Sequence, residues 1–286
     1  MQKKIGVIGG SGLYELDGLE NVVKKSVETP WGQPSDSMIC GNLGEVEISF
    51  IPRHGRGHHI LPSEVNSRAN ICALKMNGVR HIVAFSAVGS LKEEIKPRDF
   101  VIPDQIIDRT RSRPNSFFGN GVVAHLPFAD PFCSELSKAI IKSLEKLGIS
   151  YHKNETLICM EGPLFSTRSE SHWYRSMGAG LINMSALPEA KLAREAGISY
   201  CMVCMSTDYD CWKEDEEDVS LEMLLENLRA NGANAKKCLL QIINSIDYES
   251  ETEAMSSVKT SIITAPEARN PETVEKLKVL LPDIFS

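Results

Sequence analysis

Two carboxylates stand two residues apart in Ser206-Thr207-Asp208-Tyr209-Asp210, directly after Tyr200-Cys201-Met202-Val203-Cys204-Met205, a run apolar on both faces. Such a run predicts a strand covered on both sides, and the ends of such strands are where open α/β sheets bind ligands. A carboxylate there is costly to desolvate and needs a partner or a task. The plainer alternative is a helix cap followed by a surface acid. Further segments expected at strand ends carry complementary chemistry. Gly9-Gly10-Ser11-Gly12-Leu13 offers backbone amides to an anion. It is not a dinucleotide fingerprint, because the third glycine would fall on Glu15. Pro52-Arg53-His54-Gly55-Arg56-Gly57-His58-His59 forms a cationic corner, in which a guanidinium fork and an imidazole suit a phosphate dianion. A solvated basic loop is the alternative. Metal binding by His54, His58 and His59 is disfavoured, since no acid interleaves and the arginines repel a cation. Ser86-Ala87-Val88-Gly89-Ser90 and Ile182-Asn183-Met184-Ser185 add hydroxyls and amides, and Glu161-Gly162-Pro163-Leu164-Phe165-Ser166 turns Phe165 either outward, to stack on a flat base, or into the core. Phosphate suits Arg53, His54, Ser11, Ser86 and Ser185; a sugar can lie over Met184; a purine suits Asp208 and Asp210.

The elements that must position these groups follow from periodicity. Strands are expected over 5–8, 45–52, 81–86, 156–160, 181–184 and 198–205, with 86–90 as a loop. Residues 99–107 read as extended but irregular or at an edge, because Pro103 lies inside. Helices are expected over 66–76 (ending at Gly78), 131–147 (closed by Gly148), 167–176, 188–196 (closed by Gly197), 219–246 (one or two, with Gly232 as the weak point) and 271–281. The alternation predicts an α/β fold with a mostly parallel, helix-flanked sheet. One domain spans 1–247, and 248–286 is an extension whose polar stretch 248–270 reads as a linker or mobile crossover.

The bulk numbers exclude several classes. A net charge of −7 argues against a nucleic-acid partner. No run of 18 apolar residues exists, so no membrane span is expected, and the N-terminal apolar run is too short for a signal segment. Eight cysteines lie mostly inside apolar runs. Cys201 and Cys204 fit the letters of a CxxC motif but sit mid-strand, so they read as buried thiols of a cytoplasmic protein.

With these pieces in place, the chain resembles the trimeric purine nucleoside phosphorylases over roughly residues 4 to 247. The matching segments are Gly9–Leu13, Arg53-His54-Gly55-Arg56, Ala87-Val88-Gly89-Ser90-Leu91, Asp108-Arg109-Thr110, Glu161-Gly162-Pro163, Asn183-Met184-Ser185 and Thr207-Asp208-Tyr209-Asp210-Cys211-Trp212. The last is the most specific. The resemblance implies a single-domain, three-layer fold with a central mixed, mostly parallel twisted sheet. It implies that Ser11, Arg53, His54, Ser86, Ala87 and Ser185 cradle phosphate, that Met184 contacts the ribose, and that Phe165 flanks the base. Asp208 would face N7 as the catalytic acid, and Asp210, supported by Thr207, would accept from the exocyclic amine. Leu221, Leu224 and Leu225 would line an apolar 5′ pocket, completed in a homotrimer by a neighbour's His125 and by Leu280 of the terminal helix. Ser86 and Ser185 stand where the methylthioadenosine branch carries Thr, keeping the hydroxyl.

The activity so implied is reversible phosphorolysis of 5′-methylthioadenosine to adenine and 5-methylthioribose 1-phosphate, with phosphate as co-substrate and no metal or organic cofactor. A carboxylate is an acceptor only, so Asp210 favours a 6-amino over a 6-oxo purine. A protonated Asp208 can donate to N7 as the glycosidic bond stretches. The alternatives are a phosphorylase preferring adenosine or 6-oxopurine nucleosides, a hydrolytic nucleosidase, and a non-catalytic binding trimer on the same fold.

Overall fold

The computed structural model describes residues 2–10, 13, 18–213 and 221–285, the side chains of 221–225 excepted. Among them are nine strands: β1 (Lys3–Gly9), β2 (Glu20–Lys25), β3 (Met38–Leu43), β4 (Val46–Pro52), β5 (His81–Ser90), β6 (Phe100–Arg109), β7 (Tyr151–Met160), β8 (Leu181–Asn183) and β9 (Ser199–Asp208). The helices are α1 (Ser67–Met76), α2 (Ser134–Leu147), α3 (Arg168–Ser176), α4 (Ala186–Glu195), α5 (Leu221–Ile242), α6 (Glu253–Ser256), α7 (Pro271–Leu280) and α8 (Pro282–Phe285).

Strand alternation divides the interior into two cores. On β9, Tyr200, Met202 and Cys204 face a core shared with α1, α4 and α7, while Cys201, Val203 and Met205 face one shared with α2 and α5. The sheet is thus the middle of three layers, as expected. The same alternation puts Cys201 and Cys204 on opposite faces, where they cannot act together. Sheet order is β2-β3-β4-β1-β5-β8-β7-β6-β9, and β9 returns to pair with β5, closing the last five strands into a ring. Five of the nine pairings are parallel, so the sheet is mixed.

Strand β5 is the hub, and it corrects one expectation. Residues 86–90 are strand, not loop: they pair with β9 through Gly89 and with β8 at Gly89 and Ser90. On its other edge β5 pairs with β1 only at 82–84. Between the departure of β1 and the arrival of β8, the backbone of 85–88 has no strand partner on that side. Sheets bind ligands at such a split.

A second irregularity re-aims the acids. In the β5–β9 ladder Val88 pairs with Ser206 and Gly89 with Asp208, so Thr207 is an extra residue on β9. A bulge of this kind turns successive side chains toward one side. Asp208 belongs to the strand itself and does not follow it; Asp210 opens a 3-10 turn at φ +51°.

Pro103 makes β6 irregular, as expected, with register shifts on both sides of it. The strand is not an edge, since it lies between β7 and β9; Pro103 is tolerated because β9 pairs only with Phe100 and Val101. The reading over 219–246 resolves to the single helix α5. Its register over β9 is set by Asn227 and Asn231, whose amides donate to the Thr207 and Ser206 carbonyls at 2.7 and 3.0 Å. Residues 248–270 are not a free linker: Ala254, Met255 and Val258 are buried. Strands β2 and β3 were not anticipated; every residue of β2 is exposed, so it shows no buried face. Among the described residues no helix is long and apolar enough to cross a membrane.

Asn227 also accepts from Arg98 Nε at 2.8 Å. Asn227→Leu removes both bonds and leaves the buried Thr207 carbonyl without that donor. Urea denaturation should show a loss of about 1–3 kcal/mol.

Candidate active site

One cavity of about 610 Å³ opens at the split beside β5. Its wall includes Arg53, His54, Ser86, Ala87, Phe165, Met184, Ser185, Thr207, Asp208 and Asp210, so most of the residues singled out in the sequence converge there. Ser11 lies outside the described residues, as do the side chains of Leu221, Leu224 and Leu225, although α5 continues to the wall at Leu228, Gly232 and Ala235.

The two residues assigned to a neighbour's site are elsewhere. His125 is on the surface. Leu280 is fully buried in this chain's own core with Leu277 and Phe285, so the geometry does not present it to another protomer.

At one end of the cavity Arg53 is 3% exposed. It is fully committed on one side: Nε and Nη2 hold the Glu189 carboxylate at 2.5 and 3.1 Å, and Nη1 donates to the unpaired Phe85 carbonyl at 2.9 Å. Tyr200 adds a bond to Glu189 at 2.9 Å. Three of five guanidinium N–H groups are thereby used and two remain. The expected cationic corner is therefore an ion pair with residual donors. Beside it, Ser86 and Ser185 stand 2.8 Å apart, and the Asn183 amide donates to both at 3.3 Å. The Ser86 hydroxyl also donates to the Ala87 carbonyl at 2.9 Å, so a serine proton reaches another acceptor only when a hydroxyl rotates out of one of these bonds.

Burial, then the Arg53 charge, pushes the pKa of His54 down to about 4. His54 Nδ1 lies 2.9 Å from the Ile60 carbonyl.

At the other end, Asp208 is 8% exposed. Oδ2 accepts from the Thr207 hydroxyl at 2.7 Å and Oδ1 from the Asp210 backbone N–H at 2.8 Å. Burial raises its pKa, the Asp210 charge adds to this, and the two hydrogen bonds oppose it. Burial likewise raises Asp210, against the nearby Ser171 and Ser166 hydroxyls. Asp210 Oδ2 is buried without a hydrogen-bond partner among the described residues, a cost normally tolerated only for a purpose. Gly89 makes this crowding possible, since a Cβ there would sit 3.1 Å from Asp208 Oδ1 and 3.5 Å from Asp210 Cβ.

Between the ends, Phe165 is 62% exposed at the mouth and does not pack in the core. Met184 lies against Gly162, whose lack of a side chain admits its sulfur.

Two important residues were missed in the sequence. Glu189 reads there as an ordinary first-turn acid of a helix. Arg113 is buried and donates to the carbonyls of Met184, Leu187, Met160 and Glu161 at 2.6, 2.6, 3.2 and 2.7 Å. It ties the loop after β7 to the loop before α4, and so fixes Met184 and Ser185. Nothing in its sequence neighbourhood signals this.

Comparison with known proteins places the chain among relatives of the same fold. The S-methyl-5′-thioadenosine phosphorylase of Geobacter sulfurreducens is 50% identical over 282 residues, covering 98% of this chain and 99% of that one. The crystal structure of a methylthioadenosine phosphorylase from an antarctic soil metagenomic library superimposes with a TM-score of 0.93 at 46% identity, covering 99% of this chain and 100% of that one. A variant of the Schistosoma mansoni adenosine/methylthioadenosine phosphorylase in complex with methylthioadenosine has a TM-score of 0.84 at 36% identity, covering 94% of this chain and 99% of that one. Residues 4–244 match the family model described as the phosphorylase superfamily, and the chain belongs to that superfamily.

Proposed function

We propose that the chain is a pentosyltransferase catalysing the reversible, phosphate-dependent cleavage of 5′-methylthioadenosine to adenine and 5-methylthioribose 1-phosphate. The observation that carries this reading is a single cavity with anion donors at one end and, at the other, the buried Asp208 beside the half-buried Asp210. Strand β5 spans them: Arg53 bonds Phe85, and the acids crowd Gly89. Four residues of strand separate those points by roughly 13 Å, a span suited to phosphate, sugar and purine in sequence.

In this reading Ser86, Ala87, Ser185, Arg53 and His54, with Ser11, hold phosphate beneath C1′. Met184 underlies the ribose and Phe165 covers the base. As the glycosidic bond stretches, the phosphate charge stabilises the cationic sugar. The protonated Asp208 gives its proton to N7 of the departing adenine, and Asp210 Oδ2 accepts from the 6-amino group, with Thr207 holding Asp208 in place. Leu221, Leu224 and Leu225 line the 5′ methylthio pocket. The enzyme is a homotrimer in which His125 reaches a neighbour's 5′ end. The reaction asks for no metal or organic cofactor. A reducing cytoplasm suits eight unpaired thiols.

The direct test supplies methylthioadenosine, adenosine and inosine, each with and without inorganic phosphate, and separates the products. Adenine and 5-methylthioribose 1-phosphate should form only with phosphate; adenine release indifferent to phosphate would mean hydrolysis and reject the reading.

Asp208→Asn should lower kcat by about a hundredfold to ten-thousandfold. In the parent enzyme kcat should fall as pH rises through the upward-shifted pKa of Asp208, because the acid is then lost; the variant should lack this alkaline limb. Near-parental turnover in the variant would remove Asp208 from the chemistry.

Asp210→Asn supplies a donor where the parent has only an acceptor. The preference for adenosine over inosine, read as the ratio of kcat/KM, should narrow by about tenfold or more. An unchanged ratio would place base selection elsewhere.

A further inference from the structure

The anion end contains one group whose polarity is opposite to the rest. Arg53 can only donate, and the Ser86 and Ser185 hydroxyls, already accepting from Asn183, can turn a proton toward an anion by rotating out of the bonds they make to each other and to the Ala87 carbonyl. His54 differs. Its Nδ1 is 2.9 Å from the Ile60 carbonyl oxygen, and a carbonyl cannot donate, so Nδ1 carries the ring proton. A neutral imidazole has one N–H, which leaves Nε2 as a bare lone pair. Nothing among the described residues donates to it.

The surroundings keep the ring neutral. Arg53 precedes it in the chain, with Glu189 already spent on that guanidinium. His58 stacks on it at 4.5 Å between ring centroids, and burial lowers the His58 pKa as well. Arg113 adds a further positive charge. With burial, these bring His54 to about 4.

We infer that His54 selects the protonation state of the bound anion: its Nε2 accepts a hydrogen bond from a P–OH of inorganic phosphate. The inference rests on the phosphorolysis reading and adds a selectivity to it. Inorganic phosphate keeps at least one O–H at neutral pH, whereas sulfate, of the same size and charge, keeps none. Sulfate therefore sets an oxygen lone pair against the Nε2 lone pair, and relief requires protonating His54 against its surroundings. The P–OH directed at His54 leaves the unprotonated oxygens for the serine hydroxyls, for the residual Arg53 donors and for the sugar.

The test is calorimetric titration of the full-length enzyme with inorganic phosphate and with sulfate, in buffers of differing ionisation enthalpy. At neutral pH phosphate should bind at least about tenfold more tightly than sulfate. Sulfate binding should take up close to one proton and should strengthen as the pH is lowered toward the His54 value of about 4. His54→Gln, whose amide can donate or accept, should bring the two anions to within a few-fold of each other. Sulfate binding as tight as phosphate at neutral pH, without proton uptake, overturns the inference while leaving phosphorolysis intact; this measurement needs only the unaltered enzyme. Failure of phosphate to bind at all overturns both.

Discussion

The site depends on one buried ion pair. Arg53 follows β4, Glu189 lies on α4, Tyr200 on β9, and the Phe85 carbonyl on β5; a single hydrogen-bonded network joins all four. Each element also carries a residue at the cavity wall: His54 next to Arg53, Ser185 just before α4, Asp208 at the end of β9 and Ser86 after Phe85. A buried pair of this kind offers little net stability over apolar packing, but removing one partner strands the other at a cost of about 3–5 kcal/mol. Its value is positional. It ties the end of β4 and the start of α4 to the paired strands β5 and β9 at the split in the sheet.

The same pair sets the electrostatics of the anion end. Because Glu189 neutralises much of Arg53, the cavity is not a concentrated positive charge. Attraction for an anion then comes from directed donors, and discrimination from their geometry. His54 completes this logic: a ring that cannot easily become cationic adds shape and polarity, not charge. Arg113, tied to four carbonyls, supplies a fixed background potential from behind the wall residues Met160 and Met184 without itself lining the cavity.

How much of this was legible in the sequence depended on whether the cause was local. The helix α2 was readable because its apolar stripe is regular and Gly148 closes it in a left-handed conformation at φ +64°. Strand β9 was readable because both of its faces are buried. Residues 86–90 misled because Ala-Val-Gly-Ser has turn composition, whereas pairing with β8 and β9 makes it a strand; the decision is tertiary. Strand β2 was invisible because it has no buried face. Most site residues were found because glycines, hydroxyls and acids cluster at strand ends. Glu189 and Arg113 were not, since their partners lie 136 and about 50–70 residues away in the chain. Leu280 carried the apolar signature of a pocket residue, but that signature is shared by any core leucine.

At the base end the two acids gain their difference from the bulge at Thr207. A regular strand would direct Thr207 and Asp208 to opposite faces. The extra residue brings both to the cavity, lets Thr207 bond Asp208 Oδ2, and swings the backbone so that the Asp210 N–H meets Oδ1. Asp208 is thus oriented at both oxygens, each of which keeps a second lone pair on which a proton can sit. Among the described residues, Asp210 Oδ2 is left without a partner. Burial raises the pKa of both acids, and the Asp210 charge adds to the shift of Asp208. One inserted residue therefore gives two neighbouring acids different surroundings: Asp208 is held at both oxygens, whereas among the described residues Asp210 Oδ2 has no hydrogen-bond partner.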